Sequence, residues 1–449
     1  MRFSTASRRA AAGATIFAAC LAVTACGTQT PADNTSTGSG DQSQTAAAET
    51  IELTIGTFNN FGFEAATDTA PGADLFNKYM AEHPNIKIVS TVAKSSDDAR
   101  NAFNTAIGAG SGAYDIQAVD IDWMPSIMDN ADKFVDVKDL ATANDYLDWK
   151  IQQATTADGK VLGFGTDIGP EGICYRTDLF EAAGLPTDRD EVAKLLTGDW
   201  DTYFSVGKEY TAKTGKAWFD SAAATYQGMV NQVESSYISK DDDSIIASTN
   251  AKIKEMYDQV TTAAVTDKES AGLQQWSDDW NAAFKSDKFA TMLCPAWIVN
   301  NIKGNAGEDN KNWDIADVFP GGGGNWGGSF LVIPAQGKNT QAAAELAAWL
   351  TAPEQQAAVF VAASNYPSSK TAEAAADVAG KTDSFLNDAP VGQIFANRAA
   401  AVTVVPYKGA EYFDIQSKMA DALNRVDVTK EMSAADSWNK WLEDVKALS

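Results

Sequence analysis

The chain has 449 residues, a formal net charge of −25 and a single histidine. So acidic a surface excludes nucleic acid and anionic lipid headgroups as partners, because both are polyanions. With the single histidine, His83, read as a helix-end residue before proline, no Cys-x-x-Cys pair, no Gly-x-x-x-x-Gly-Lys loop and no Asp-x-Asp-x-Asp-Gly stretch, the sequence offers no Ser-His-Asp triad, zinc cluster, phosphate cradle or calcium loop, and neither metal nor cofactor is expected.

Arg2, Arg8 and Arg9 form a positive head, followed by an apolar stretch from Ala10 to Val23. A charged start, a short apolar run and small residues at a cut site predict an export signal over residues 1–25. The run falls short of the roughly 20 apolar residues that span a bilayer, and no later stretch reaches that length. Val23-Thr24-Ala25-Cys26 resembles the lipobox of bacterial lipoproteins. That resemblance implies cleavage before Cys26, lipid on its new N-terminus, and a chain working on the extracytoplasmic face of the bacterial cell membrane. Ser7-Arg8-Arg9 is only a fragment of a twin-arginine signal, which leaves the export route open. Residues 27–50 hold no aromatic residue and no Leu, Ile, Val or Met. Such a segment buries too little to fold, so residues 26–50 are expected to be a flexible tether with a reach of about 27 Å.

The folded part opens at Ile51-Glu52-Leu53-Thr54-Ile55, an alternating strand. A helix follows over 75–82, ended by His83-Pro84, and then a strand at Ile86-Lys87-Ile88-Val89. Strand, helix and strand in succession make a βαβ unit, which favours a parallel sheet with helices on its faces. Residues 114–119 read as another buried strand, as do 171–175 and 289–293, with a mainly helical region over 177–288 between the last two. Cys174 and Cys294 fall in these two apolar runs of an exported chain, where a disulfide between them is expected. The glycines at 321–324 and Asn325-Trp326-Gly327-Gly328 lead into Ser329-Phe330-Leu331-Val332-Ile333-Pro334. Two helices come next. The first carries Leu346, Trp349 and Leu350 on one face, and the second opens with a capping box at Thr351-Ala352-Pro353-Glu354. The chain closes in helices, among them 433–448.

Several of these segments, in this order, resemble the extracellular solute-binding proteins of carbohydrate ABC transporters, the family that includes the maltose-binding protein. Those carrying the likeness are Leu75-Phe76-Asn77-Lys78-Tyr79-Met80-Ala81-Glu82-His83-Pro84, Glu171-Gly172-Ile173-Cys174-Tyr175-Arg176-Thr177-Asp178-Leu179-Phe180, Pro295-Ala296-Trp297, the run from Trp326 to Pro334, and the helix pair over 343–356. Gly184-Leu185-Pro186-Thr187-Asp188-Arg189 and Trp349-Leu350-Thr351-Ala352-Pro353-Glu354-Gln355-Gln356 bring it nearest to actinobacterial binding lipoproteins for β-linked oligosaccharides of the cellobiose and xylobiose type. The resemblance implies an α/β, two-lobed, periplasmic-binding-protein-like (type II) fold with a three-crossing hinge. Lobe 1 is expected over 51–166 and 329–365, and lobe 2 over 167–328 and 366–449. The crossings are expected near 164–168, 325–329 and 364–369, with the glycine-rich run at the second, where a hinge needs backbone freedom.

A neutral oligosaccharide shows apolar C–H faces and a rim of hydroxyls, so its cleft needs flat aromatic rings and short polar side chains. The chain has 12 Trp, 12 Tyr and 20 Phe, several beside Asp, Asn or Gln in loops. Trp297 and Trp326 fall where the resemblance puts ligand contacts. Asp122 with Trp123, and Phe58 with Asn59, follow strand ends, where open α/β sheets bind ligands. Asp167 and Glu171 lie at the first crossing. Trp276, Trp280, Tyr226 and Tyr366 are further candidates, each with a plain core role as the competing reading. The resemblance implies a monomeric substrate-binding subunit of an ABC importer, not an enzyme. It would bind an oligosaccharide, β-linked and two to four units long, and deliver it to the permease's transmembrane subunits. A secreted glycoside hydrolase, with two carboxylates about 5–10 Å apart, and a binding protein for peptides or another polar solute are the alternatives.

Overall fold

A computed structural model of the chain describes residues 49–68 and 70–448. The expected export signal, Cys26 and the expected tether up to residue 48 lie outside the described residues. From Glu49 onward the chain forms one compact unit. Its ten strands are β1 (Ile51–Phe58), β2 (Ile86–Ala93), β3 (Ile116–Asp120), β4 (Phe164–Gly165), β5 (Asp167–Ile168), β6 (Glu171–Arg176), β7 (Thr291–Pro295), β8 (Trp313–Ala316), β9 (Ser329–Val332) and β10 (Tyr366–Pro367).

The first lobe is built on a five-stranded sheet in the order β2-β1-β3-β9-β4. β1 pairs in parallel with β2 and β3, joined to β2 through the helix Leu75–Glu82, as a βαβ unit requires. β9 returns from the far end of the chain and lies antiparallel to both β3 and β4. The central strands are buried on both faces, which explains near-continuous apolar runs such as Phe330-Leu331-Val332. Their core includes Leu53, Ile55, Ile116, Val119, Trp123 and Leu346.

The second lobe is built on a three-stranded sheet, β7-β6-β8, antiparallel throughout. The parallel pairing favoured by the opening βαβ unit stops with the first lobe. The excursion between β6 and β7 is long enough to return in either sense, so no crossover constraint imposes parallel strands. This sheet separates two cores by the two-residue period of its strands. Ile173, Tyr175, Leu293 and Ala316 face a core holding Trp218, Tyr237, Tyr257 and Trp441. Cys174, Met292, Cys294, Trp313 and Ile315 face the other, which holds Trp280, Phe360, Tyr366 and Phe395. Cys174 and Cys294, on adjacent strands, form a disulfide.

Hydrogen bonds tie the stretches that pass between the sheets to one another. β5 pairs with β10, Tyr366 opposite Ile168 and Pro367 opposite Asp167. Asn325 Oδ1 accepts from Gly169 N (2.9 Å), and Asp167 Oδ1 accepts from Ser329 N (3.0 Å) and Thr166 Oγ1 (2.7 Å). Gly328 has φ +94°, and a Cβ there would stand 2.7 Å from the Asp167 carbonyl oxygen, so only glycine fits this pass.

The two helices after β9 are Thr340–Leu350 and Pro353–Ala363. Proline sits at the start of the second, but the expected capping box does not form: its N-cap is Ala352, without a side-chain cap. Thr351 is buried instead, and its hydroxyl donates to Ala347 O (2.8 Å) while accepting from Tyr146 (2.8 Å) and Asn144 (3.1 Å). A capping box needs a free hydroxyl, and this one is already engaged. The last helix, Ala434–Lys446, is capped by Ser433, whose hydroxyl accepts from Asp436 N.

Candidate functional site

Between the two sheets lies a cleft of about 900 Å³, toward the top of the usual range of about 300–1,000 Å³ for small-molecule sites. The first lobe supplies the loop after β1 and the turn after β3. The second lobe supplies the loop 274–277, the start of the helix Ile298–Ala306, and Lys408. The stretch 326–329 forms part of the wall between them.

Phe58, Asn59, Asp122, Asp167, Trp276, Trp297 and Trp326 all line this cleft. The three tryptophans make one assembly. Trp297 and Trp276 stack with centroids 6.0 Å apart and planes 24° apart, while Trp326 meets Trp297 edge-on at 5.5 Å. Trp297 is locked in place because its indole N–H donates to the Trp326 carbonyl (2.9 Å). Both rings are part-buried, and Trp276 is 51% exposed. On the first lobe, Phe58 packs edge-on against Phe61 at 5.3 Å, and both line the cleft.

Five of the sequence's candidates do not reach the cleft, each for a local reason. Trp123 follows Asp122 in the short 3-10 turn Ile121–Trp123, where neighbouring side chains diverge. Asp122 lines the cleft, while Trp123 is buried behind Phe58, ring centroids 5.2 Å apart. Tyr226 precedes Gln227 on the helix Ala222–Val230, and successive helical side chains point about 100° apart. Gln227 lines the cleft, whereas Tyr226 is fully buried with its hydroxyl 3.1 Å from that of Tyr237. Tyr366 is fully buried against Phe360 and Phe395, and Trp280 is buried with its indole N–H on Asp220. Glu171 turns into the second lobe, beside Gly228, Gly324 and Phe319. Both its carboxyl oxygens are buried without a partner, and burial holds the group well above the ordinary carboxylate range.

The structure adds residues that the sequence did not single out. Asn300, Asn301 and Asn305 come from one face of the helix Ile298–Ala306, whose other face buries Ile298, Val299 and Ile302. Three asparagines in a nine-residue helix run against helix propensity, a signal that could have marked them. Asn281 joins them, its Oδ1 accepting from Asn305 (3.0 Å). Lys408 lies in a stretch without regular structure between the helices Val391–Ala400 and Tyr412–Asp427, and nothing in the sequence marked it.

Asp120, Asp122, Asp167 and Lys408 line the cleft, with Lys150 beside Asp167 and Asp120. Lys408 reaches from the second lobe to pair with Asp122 on the first. Burial is the largest effect and opposes the lysine's charge, but Asp122, Tyr412 and Asp120 together outweigh it and hold Lys408 above the usual lysine range. Asp120, whose carboxylate accepts from Asp122 N (2.9 Å), is pushed up to about 7 by burial and by the neighbouring Asp122 charge. Lys150 is lowered to about 8 by burial, with Asp167 and Asp120 acting in the other direction. Asp167 is raised by burial. Two lysines thus face Asp122, Asp167 and an Asp120 that is partly protonated at neutral pH, while Lys94 and Asp97 line the cleft outside this group. Among the described residues no group of three or more His, Cys, Asp or Glu is placed to hold a metal ion.

Comparison with known proteins agrees with this architecture. The family model for bacterial extracellular solute-binding protein matches residues 74–385. A crystal structure described as an extracellular solute-binding protein of family 1 is 44% identical, covers 88% of this chain and 99% of its own, and superposes with a TM-score of 0.78. An ABC-transporter-associated binding protein from B. animalis subsp. lactis Bl-04, solved with β-1,6-galactobiose, has the same fold at 17% identity, with a TM-score of 0.74 over 88% of this chain and 97% of its own. A lactose-binding protein from Rhizobium radiobacter is 25% identical over 246 residues, 54% of this chain; the chain spans about half the length of that relative, 56%. The two-lobed fold, the family match over more than half of the sequence and the 44%-identical structure together place this chain among the bacterial extracellular solute-binding proteins.

Proposed function

We propose that the protein is the lipid-anchored substrate-binding subunit of an ABC importer, taking a neutral oligosaccharide into the inter-lobe cleft and presenting it to the permease. The observation that carries this reading is the cleft's make-up. Trp276, Trp297 and Trp326 offer flat apolar faces, an arc of Asn and Gln amides offers donors and acceptors together, and the Asp122 charge is paired with Lys408. C–H faces and hydroxyls suit those surfaces. A glycosidase would need two free carboxyls flanking the bond. Here Asp122 is ion-paired, Asp167 accepts from Ser329 and Thr166, and Asp120 accepts from a backbone amide.

The ligand is a β-linked chain of two to four sugars. The β-linkage rests on the sequence resemblance and on the ligands of the relatives named above, and the length on the cleft's volume. The lipid anchor rests on the arginine-headed export signal and Val23-Thr24-Ala25-Cys26. Closure follows if the ligand touches both lobes, because only contacts that differ between open and closed forms shift that equilibrium.

A thermal-shift screen of residues 27–449 against α- and β-linked di- to tetrasaccharides tests the reading. A native-state ligand raises the melting temperature by mass action. The expected result is a shift of several degrees with one β-linked series and full recovery of that sugar after overnight incubation. Shifts with α-linked glucans alone would overturn the linkage. Shifts with peptides only, or breakdown of the sugar, would overturn the function.

A further inference from the structure

Trp276 stands in the cleft wall in an unfavourable backbone conformation. Its φ is +69°, a region that bulky side chains rarely enter, and half of its surface faces solvent. It is the third residue of a turn in which Gln274 O accepts from Ser277 N (3.3 Å) and Ser277 Oγ (2.7 Å), a place usually given to glycine when φ is positive. A conformation of this kind persists only where its surroundings over-determine it.

Asp220 supplies that constraint. It is 1% exposed and does not line the cleft. Its Oδ2 accepts from Gln275 Nε2 (3.0 Å) and from Trp280 Nε1 (2.9 Å), its carbonyl oxygen accepts from Leu273 N (3.1 Å), and its Oδ1 accepts from Ser221 N (2.8 Å). The last bond fixes the rotation of the carboxylate. The others hold both flanks of Trp276: Gln275 is its chain neighbour, and the Trp280 ring lies 5.1 Å away. A carboxylate suits this task because it only accepts, with room for all three N–H donors, whereas an amide would turn a donor toward one of them.

We propose that Asp220 is a positioning residue for ligand recognition. It never meets the ligand, but it locks the 274–277 turn so that Trp276 stands against Trp297 as the outer of two stacked platforms. The affinity arm of its test rests on the oligosaccharide reading above, and the spectroscopic arm does not.

The test uses residues 27–449 labelled with 5-fluorotryptophan. The Trp276 fluorine resonance is assigned by its loss in Trp276→Phe. In the ligand-free protein, Asp220→Asn should move or broaden that resonance and leave Trp441, buried in another core, unshifted. In the second arm cellotriose is titrated calorimetrically into the wild type, Asp220→Asn, Trp276→Ala and the double variant. Asp220→Asn should weaken binding roughly 5- to 20-fold, the loss expected from one or two hydrogen bonds, and should cost less than about 2-fold more on top of Trp276→Ala. An unchanged Trp276 resonance, or losses that multiply in the double variant, would overturn the proposal. Gln275→Met cuts the same tie from the exposed side and carries the fluorine readout if Asp220→Asn does not fold. If the wild type binds no sugar, the oligosaccharide reading fails while the fluorine arm still decides on Asp220.

Discussion

Trp297 joins the other two tryptophans of the candidate site. Its ring meets Trp276 on one side and Trp326 on another, and its N–H pins the crossing that carries Trp326. Trp297→Ala should weaken oligosaccharide binding by about 30-fold or more, as expected of a packed aromatic anchor, with calorimetry as the check. At this scale legibility stopped at single positions. Asp122 and Trp123, like Tyr226 and Gln227, are chain neighbours that face opposite ways. A loop or short helix gives no period from which to choose between them. A second residue-scale prediction concerns Glu269, buried with neither carboxyl oxygen partnered. Burial, aided by Asp267 and opposed by Lys208, pushes it up to about 8. The folded state therefore keeps a proton that the unfolded chain releases near pH 4.5. The resulting stability is present in full below that pH and is lost as pH rises to about 8. Asp220, pushed up to about 6 by burial, and Glu373, to about 7 by burial, slope the same way. The melting temperature should be higher at pH 5 than at pH 8, and Glu269→Gln should raise it at pH 8 while leaving it nearly unchanged at pH 5.

Among the elements, β6 and β7 were readable because a strand buried on both faces carries a run of consecutive apolar residues, as in Ile173-Cys174-Tyr175. β8 was not, being four residues long and opening directly after Lys311-Asn312. The sense of pairing was also out of reach, since a long excursion fixes no direction. The bridge between Cys174 and Cys294 closes a loop with a sequence separation of 120 and ties neighbouring strands of the second lobe. By the chain-entropy relation such a loop is worth up to about 5 kcal/mol. Urea unfolding of a Cys174→Ala/Cys294→Ala variant should show a loss of that order or less, and an unchanged midpoint would mean that the bridge adds nothing to the sheet's packing.

For the molecule as a whole, the ordered set of family-like segments made the fold legible, whereas the contacts between lobes were not, because they join positions far apart in sequence. Beyond the crossings, Lys408 pairs with Asp122, and Arg100 lies 4.0 Å over the Phe413 ring and 3.3 Å from Asp414. On the proposed function, these bonds set the resting balance between open and closed forms that a ligand must shift. Lys408→Met leaves Asp122 without its cation, so the ligand-free variant should scatter X-rays with a larger radius of gyration than the wild type; an equal radius would show that the pair does not hold the lobes. The central claim is that the cleft takes a neutral sugar chain on its tryptophans. The measurement that tests it most directly is calorimetric titration of residues 27–449, wild type and Trp297→Ala, with cellotriose and xylotriose beside a uronic-acid-capped chain of equal length. The account predicts one saturable site for a neutral chain, weaker binding of the charged one and near-complete loss in Trp297→Ala. Binding that prefers the charged chain, or that survives loss of Trp297 unchanged, would contradict it.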